Sequence, residues 1–226
     1  MTAPARIAVF ASGGGTNLQA LLDHFNAHES GVARVELVVA SRQGIGAIGR
    51  AERLRVPAVV VDPASTEGGD SSGAILRELE RHRIDLIALA GYLKLIPERV
   101  VEEFRGRILN IHPALLPSFG GPGMYGMRVH RAVLASGAMV TGPTVHLVDE
   151  RYDEGSVLVQ WPVPVLPGDT PEQLAARVLT IEHILYPLAV ERVVRGDPAG
   201  SLSPGLAFDL IDPGPPPVES VRRLLG

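Results

Sequence analysis

The chain has 226 residues, a length that favours one large domain over two small ones, and its 46% hydrophobic and 20% charged residues are enough for a packed core. A net charge of −4 disfavours a nucleic-acid partner, and the absence of cysteine excludes disulfides, thiolate metal sites, iron–sulfur clusters and a Cys nucleophile. No apolar run approaches the ~18 residues of a membrane span or the core of a secretory signal, so the expectation is a soluble, cytoplasmic protein without a membrane partner.

Arg6–Phe10 is a short apolar run, Ala11–Gly15 is a glycine turn, and helical spacing begins at Thr16. Three further apolar bursts, Val35–Ala40, Ala58–Val61 and Leu86–Ala90, are each followed by a polar, helix-like stretch. Strands that are apolar on both faces and alternate with helices imply a parallel sheet covered on both sides, so the expected fold is α/β and Rossmann-like. Arg107–Ile111 reads as a fifth strand, stopped at Pro113. Ser118–Gly126 is too glycine-rich for regular structure and long enough to act as a lid.

Residues 127–136 suit a short helix. Val140–Val148 and Val157–Val165 suit an antiparallel pair of strands in the C-terminal half. Thr170-Pro-Glu-Gln173 opens a helix with a Thr cap, Pro in the first position and Gln closing a capping box, and that helix is expected to run to about Val194. The organisation is one domain over residues 1–200 and a Pro-rich tail over 201–226, whose Val218–Leu225 could form one docking helix.

The turn through Gly13-Gly-Gly15 leaves backbone N–H groups at a helix start, a geometry that receives phosphate, and the Thr16 hydroxyl and Asn17 amide add donors. It is a poor dinucleotide fingerprint, because the third glycine of Gly-x-Gly-x-x-Gly is replaced by Leu18, and it lacks the Gly-Lys-Ser/Thr of a P-loop. Arg42, after the second strand, keeps a phosphate- or NADP-binding module open as an alternative. No tyrosine stands four residues before a lysine, as a short-chain dehydrogenase would require.

Asn110 and His112 lie two apart on the fifth strand, so their side chains leave one face at a strand end, where open α/β sheets place ligands. An amide and an imidazole side by side can stabilise an oxyanion and move a proton, which suits acyl transfer; a structural Asn and a buried His are the plain alternative. Asp153 can charge or hold an imidazole, or serve as a turn aspartate. His146 on its apolar strand suits a core histidine, while Glu182-His183 could face the site or solvent. His24 and His28 have metal-ligand spacing, but Phe25 stands where a zinc protease needs Glu, and no metal is expected.

Taken together, Ala11–Gln19, Leu89–Ile96, Asn110-Ile-His-Pro-Ala-Leu-Leu-Pro117, Thr144–Asp149 with Asp153-Glu-Gly155, and Ile181-Glu-His183 resemble the phosphoribosylglycinamide formyltransferases, folate-dependent enzymes of purine synthesis. The resemblance covers about residues 6–195. It implies transfer of a formyl group from 10-formyltetrahydrofolate, a co-substrate, to the amine of 5'-phosphoribosylglycinamide. Gly15, Thr16 and Asn17 would hold the substrate phosphate and Glu182 its glycinamide end. Leu93, Lys94, Leu95 and Ile96, with Asn110, Asp149, Glu150, Arg151 and Tyr152, would bind the folate. Asn110, His112 and Asp153 would be the catalytic group, with protonated His112 and Asn110 on the developing oxyanion and Asp153 favouring the imidazolium.

The chain departs from the family pattern at Thr66–Ser72, where no Arg is offered to folate, and in the long Phe119–Gly126 segment, which leaves any contact from His130 unassigned. A methionyl-tRNA formyltransferase would need a further basic domain and a formyltetrahydrofolate hydrolase a regulatory one, so the expected partners are small molecules, with a homodimer compatible.

Overall fold

The computed structural model describes residues 3–27, 31–62 and 71–196. The described residues fall into two compact units: the first holds the chain up to Asn110 together with Val148–Glu150, and the second holds Ile111–Leu147 and the residues from Arg151 on. The expected docking helix in 201–226, His28 and most of the Thr66–Ser72 segment lie outside the described residues.

The first unit is a βα alternation: β1 (Ala5–Ala11), α1 (Thr16–Leu22) with a π-helical turn over Asp23–Ala27, β2 (Ala33–Ala40), α2 (Gly46–Arg53), β3 (Ala58–Val60), α3 (Ser72–Arg81), β4 (Leu86–Leu89), α4 (Glu98–Glu103) and the first part of β5 (Ile108–His112), whose Ile111 and His112 belong to the second unit. Its strands lie in the order β3-β2-β1-β4-β5, and every pair is parallel. Period-two geometry gives each strand two apolar faces. Ala8, Phe10, Leu37, Val39, Ile87, Leu89 and Ile108 form one core with Ile75 and Leu79 of α3 and Val100, Val101 and Phe104 of α4. Ile7, Val9 and Val38 are buried on the alternate positions, and α1 and α2 pack against β2. The expected parallel sheet with helices on both faces is what these residues build.

The strand order reverses between β1 and β4, and the chain is stitched there. Ser12 N–H donates to the Gly91 carbonyl at 3.1 Å, and Leu93 N–H donates to Ser12 Oγ at 2.9 Å. The Tyr92 ring meets Phe10 edge to face at 5.3 Å. The glycine turn after β1 and the Leu93–Ile96 segment after β4 therefore share the carboxyl end of adjacent strands.

The second unit contains α5 (Met127–Ser136), β6 (Val140–Thr141), β7 (Thr144–Leu147), β8 (Val157–Gln160), β9 (Val163–Pro164) and α6 (Pro171–Val194). The antiparallel pairing expected here is present, but each of the two expected strands is broken in two. β7 pairs with β8 across Thr144 and Gln160, whereas β6 pairs with β9 as a separate ladder. A proline lies at each break: Pro143 and Pro162 have no N–H to give a ladder, and each stands directly before the strand that resumes, at Thr144 and Val163. Gly142 adds a backbone demand, with φ 144° and no room for a Cβ against the Trp161 carbonyl. α6 keeps its expected cap, with Gln173 N–H donating to Thr170 Oγ1 at 3.3 Å and Thr170 N–H donating to Gln173 Oε1 at 2.8 Å. No helix among the described residues is long and apolar enough to cross a membrane.

Gly15 is the residue on which the first βα turn depends. It has φ 74°, and a Cβ added there would lie 2.9 Å from both Cα and Cβ of Ala47 on α2. Left-handed backbone costs an alanine about 1–2 kcal/mol, and overpacking costs about 1–3 kcal/mol more. Gly15→Ala is therefore expected to lose about 2–4 kcal/mol of unfolding free energy in a urea titration. A variant as stable as the parent would contradict this account of the turn.

Candidate active site

The polar centre of the second unit is built around one carboxylate. Asp153 Oδ2 lies 3.5 Å from His112 Nδ1, and its Oδ1 lies 3.7 Å from His146 Nε2. Both imidazoles are buried, at 3% and 2% exposure, so water cannot satisfy them. Each uses its other ring nitrogen on a backbone carbonyl: His112 Nε2 meets the Phe119 oxygen at 2.9 Å, and His146 Nδ1 meets the Leu147 oxygen at 2.8 Å. A carbonyl can only accept, so a neutral ring that donates to it turns a lone pair toward Asp153. Only an imidazolium satisfies both neighbours at once.

The glycine-rich segment after His112 supplies the rest of this geometry. Gly121 N–H donates to Asp153 Oδ2 at 2.9 Å. At Gly120 a Cβ would lie 2.5 Å from a Leu116 methyl and 3.2 Å from Asp153 Cβ, so a side chain there would push the carboxylate away. Phe119 and Asp153 both hold φ 57°, a conformation that costs a residue with a side chain and that clusters at functional sites. The stretch expected as a lid is joined at Phe119 to His112 and at Gly121 to Asp153.

The charge balance on His112 has two sides. Burial pushes its imidazole below the ordinary value, and this outweighs the upward pull of the Asp153 carboxylate and of the Phe119 carbonyl. The charged form expected from sequence is thus the form that Asp153 supports, while burial holds the free protein toward neutral His112. His130 on α5 is also pushed below the ordinary value, first by burial and then by His112, and its Nδ1 has no hydrogen-bond partner among the described residues.

The segment from Ala114 to Leu116 is clamped by one hydroxyl. Thr144 Oγ1 donates to the Ala114 carbonyl at 2.7 Å and accepts from Leu116 N–H at 3.0 Å. Gln160 Nε2 donates to the Leu116 carbonyl at 2.8 Å and to Thr144 Oγ1 at 3.0 Å. The hydroxyl's bonding capacity is filled, which fixes the chain leaving His112.

Of the residues expected from sequence, His112 and Asp153 come together, and Asn110 leaves the same face of β5 two positions before His112. Gly15, Thr16 and Asn17 lie where β1 passes into α1. Glu182 is buried on α6 at 6% exposure. Leu93 and Leu95 are half exposed and Lys94 is exposed, but Ile96 is buried in the core of the first unit and has only its backbone to offer a ligand. Asp149 lies among Val148–Glu150, Glu150 pairs with Arg105, Arg151 pairs with Glu154 at 2.7 Å, and Tyr152 is exposed.

Sequence does not separate His146 from a core histidine, and it leaves His130 unassigned. The one available signal was that a buried strand or helix face rarely carries an imidazole without a partner. Among the described residues no group of three His, Cys, Asp or Glu could hold a metal ion.

Comparison with known proteins identifies the family. The formyl transferase family matches residues 5–190. A chloroplastic phosphoribosylglycinamide formyltransferase of Arabidopsis thaliana is 46% identical over 184 residues, which are 80% of this chain and 62% of the relative, and that of Vigna unguiculata is 45% identical over 82% and 60%. The chain thus spans about 60% of the length of these plant relatives. Among solved structures, glycinamide ribonucleotide transformylase 1 of Symbiobacterium toebii superposes with a TM-score of 0.78 at 39% identity over 85% of this chain and 89% of its own. Its counterpart from Geobacillus kaustophilus gives 0.76 at 42% identity over 84% and 99%. The chain belongs to the formyl transferase family, with the phosphoribosylglycinamide formyltransferases as its near relatives.

Proposed function

We propose that the protein transfers the formyl group of 10-formyltetrahydrofolate to the amine of 5'-phosphoribosylglycinamide, in purine synthesis. The observation that carries the reading is the Asp153 carboxylate at 3.5 Å from His112, which follows Asn110 by two positions on β5, in a chain of this family. Family membership supplies the reaction type, and the cluster supplies groups suited to it.

In this reading the amine attacks the formyl carbon, a C–N bond forms, and negative charge develops on the formyl oxygen. Asn110 and the His112 imidazolium stabilise that oxygen. Burial favours neutral His112 in the free protein, so the ring is charged by the proton that the attacking amine releases. Asp153 lowers the cost of that charge. The bond from carbon to folate N10 then breaks, and the same proton passes to N10, which leaves as tetrahydrofolate. The Gly120 position keeps the carboxylate in place throughout.

Gly15, Thr16 and Asn17 hold the phosphate of the acceptor and Glu182 its glycinamide end. The exposed apolar Leu93 and Leu95, Lys94, and the backbone of Ile96 and of Asp149, Glu150, Arg151 and Tyr152 serve the folate. A reducing compartment such as the cytoplasm suits a chain with no cysteine. A phosphate- or NADP-binding module would have no use for a buried carboxylate shared by two imidazoles.

Purified protein mixed with both substrates, followed by the absorbance change of the folate, tests this directly. His112→Ala is expected to cut turnover by about 10²–10⁴-fold, the usual contribution of a proton-transferring group, with an unchanged circular dichroism spectrum. A parent protein that leaves the folate unchanged, or a folded His112→Ala with parental turnover, would defeat the proposal.

A further inference from the structure

We propose that Arg50 of α2 is a positioning residue for the substrate phosphate, because its guanidinium holds the Gly14 carbonyl inward and so aims the Gly15 N–H outward. The proposal rests on the reading that the glycine turn receives that phosphate, and it concerns a residue to which neither the sequence motifs nor the proposed reaction gives a role.

Three consecutive carbonyls of the turn are engaged. Ala47 N–H donates to the Gly13 carbonyl at 3.1 Å, Arg50 Nε donates to the Gly14 carbonyl at 2.7 Å, and Gln19 N–H donates to the Gly15 carbonyl at 2.9 Å. In a planar trans peptide the C=O of one residue and the N–H of the next point in opposite directions. Fixing the carbonyls of Gly13, Gly14 and Gly15 toward the helices therefore turns the N–H groups of Gly14, Gly15 and Thr16 the other way. Successive N–H groups through a left-handed residue form an anion-binding concavity, and Gly15 at φ 74°, ψ 35° is that residue.

Arg50 is the side chain among these three locks. Its Nη1 also donates to Gln19 Oε1 at 3.1 Å, and Gln19 Nε2 donates to Asp23 Oδ1 at 2.8 Å, so the guanidinium is held by its own partners on α1 and the turn that follows it. Two close approaches let α2 reach the turn: Gly46 would place a Cβ 3.1 Å from the Gly14 oxygen, and Gly15 would place one 3.3 Å from Arg50 Cδ. A charged donor on the Gly14 carbonyl also polarises the Gly14–Gly15 peptide, which strengthens the Gly15 N–H as a donor.

The test compares 5'-phosphoribosylglycinamide with its dephosphorylated form, ribosylglycinamide, as acceptors for the parent protein, Arg50→Met and Arg50→Lys, with thermal unfolding followed alongside. The parent is expected to prefer the phosphorylated acceptor. Arg50→Met is expected to raise KM for that acceptor about tenfold, the scale of a lost hydrogen bond to a charged group, with kcat little changed and ribosylglycinamide affected less than about twofold. Arg50→Lys keeps the charge without the fork and is expected to recover less than half of the loss. Equal losses on both acceptors would mark a merely structural role and overturn the proposal, as would full phosphate preference in Arg50→Met. Complete recovery in Arg50→Lys would show that charge alone acts, and would also overturn it. A parent protein with no preference between the acceptors would overturn the phosphate reading itself, and the proposal with it.

Discussion

The Asp153 carboxylate between two buried imidazoles is the interaction on which the second unit is organised. Each imidazole is pinned on its far side by a carbonyl oxygen, so His112 satisfies both that carbonyl and Asp153 only as the imidazolium. Burial opposes that proton and keeps His112 below its ordinary value. The two tendencies hold His112 poised, with charge disfavoured at rest and locally compensated when it arrives. That is the balance the proposed reaction asks of a transient proton carrier, since a ring already charged could not take a proton from the attacking amine and a ring far from any carboxylate would not keep it. The strained backbone at Phe119 and Asp153 and the missing side chain at Gly120 are consequences, because the carboxylate must approach the His112 loop closely.

The first unit meets a different demand by backbone alone. Its glycines divide the work unevenly. Gly13 and Gly14 face open space, whereas Gly15 is required by its φ and by the approach of α2. At Gly15 the structure gives the packing of Ala47 and Arg50 as a physical reason for the glycine. The same packing brings Arg50 and the Ala47 N–H onto the carbonyls of the turn, so the conformation of the βα turn and the direction of its donors are one property.

Much of this was legible in the chain. Local signals are short in range, and they placed β1 to β5, α5 and the capped α6 because apolar periodicity, proline position and the Thr170–Gln173 box act within a few residues. The pairing of Asn110 with His112 needed only strand period two. What escaped depends on partners distant in sequence. The interruptions at Gly142-Pro143 and Trp161-Pro162 arise because two prolines stand diagonally across the same gap between the ladders, and neither alone forces a break in an apolar run. His146 looked like a core histidine because its burial is real; its place beside Asp153 is a tertiary fact. The bond from Gly121, in the segment read as a lid on composition, escaped because nothing local announces that Gly121 will donate to a carboxylate 32 residues on. Arg50 was invisible for the same reason, lying 36 residues from the carbonyl it holds.

The claim that Asp153 acts on His112 through charge is tested most directly by following the His112 ring protons in an NMR titration of the parent and of Asp153→Asn. The carboxylate is an upward influence on an imidazole already lowered by burial, so its removal leaves desolvation less opposed. The parent is expected to titrate below the ordinary imidazole value, and Asp153→Asn lower still. A His112 midpoint that stays in place or rises when the carboxylate is removed would contradict the account.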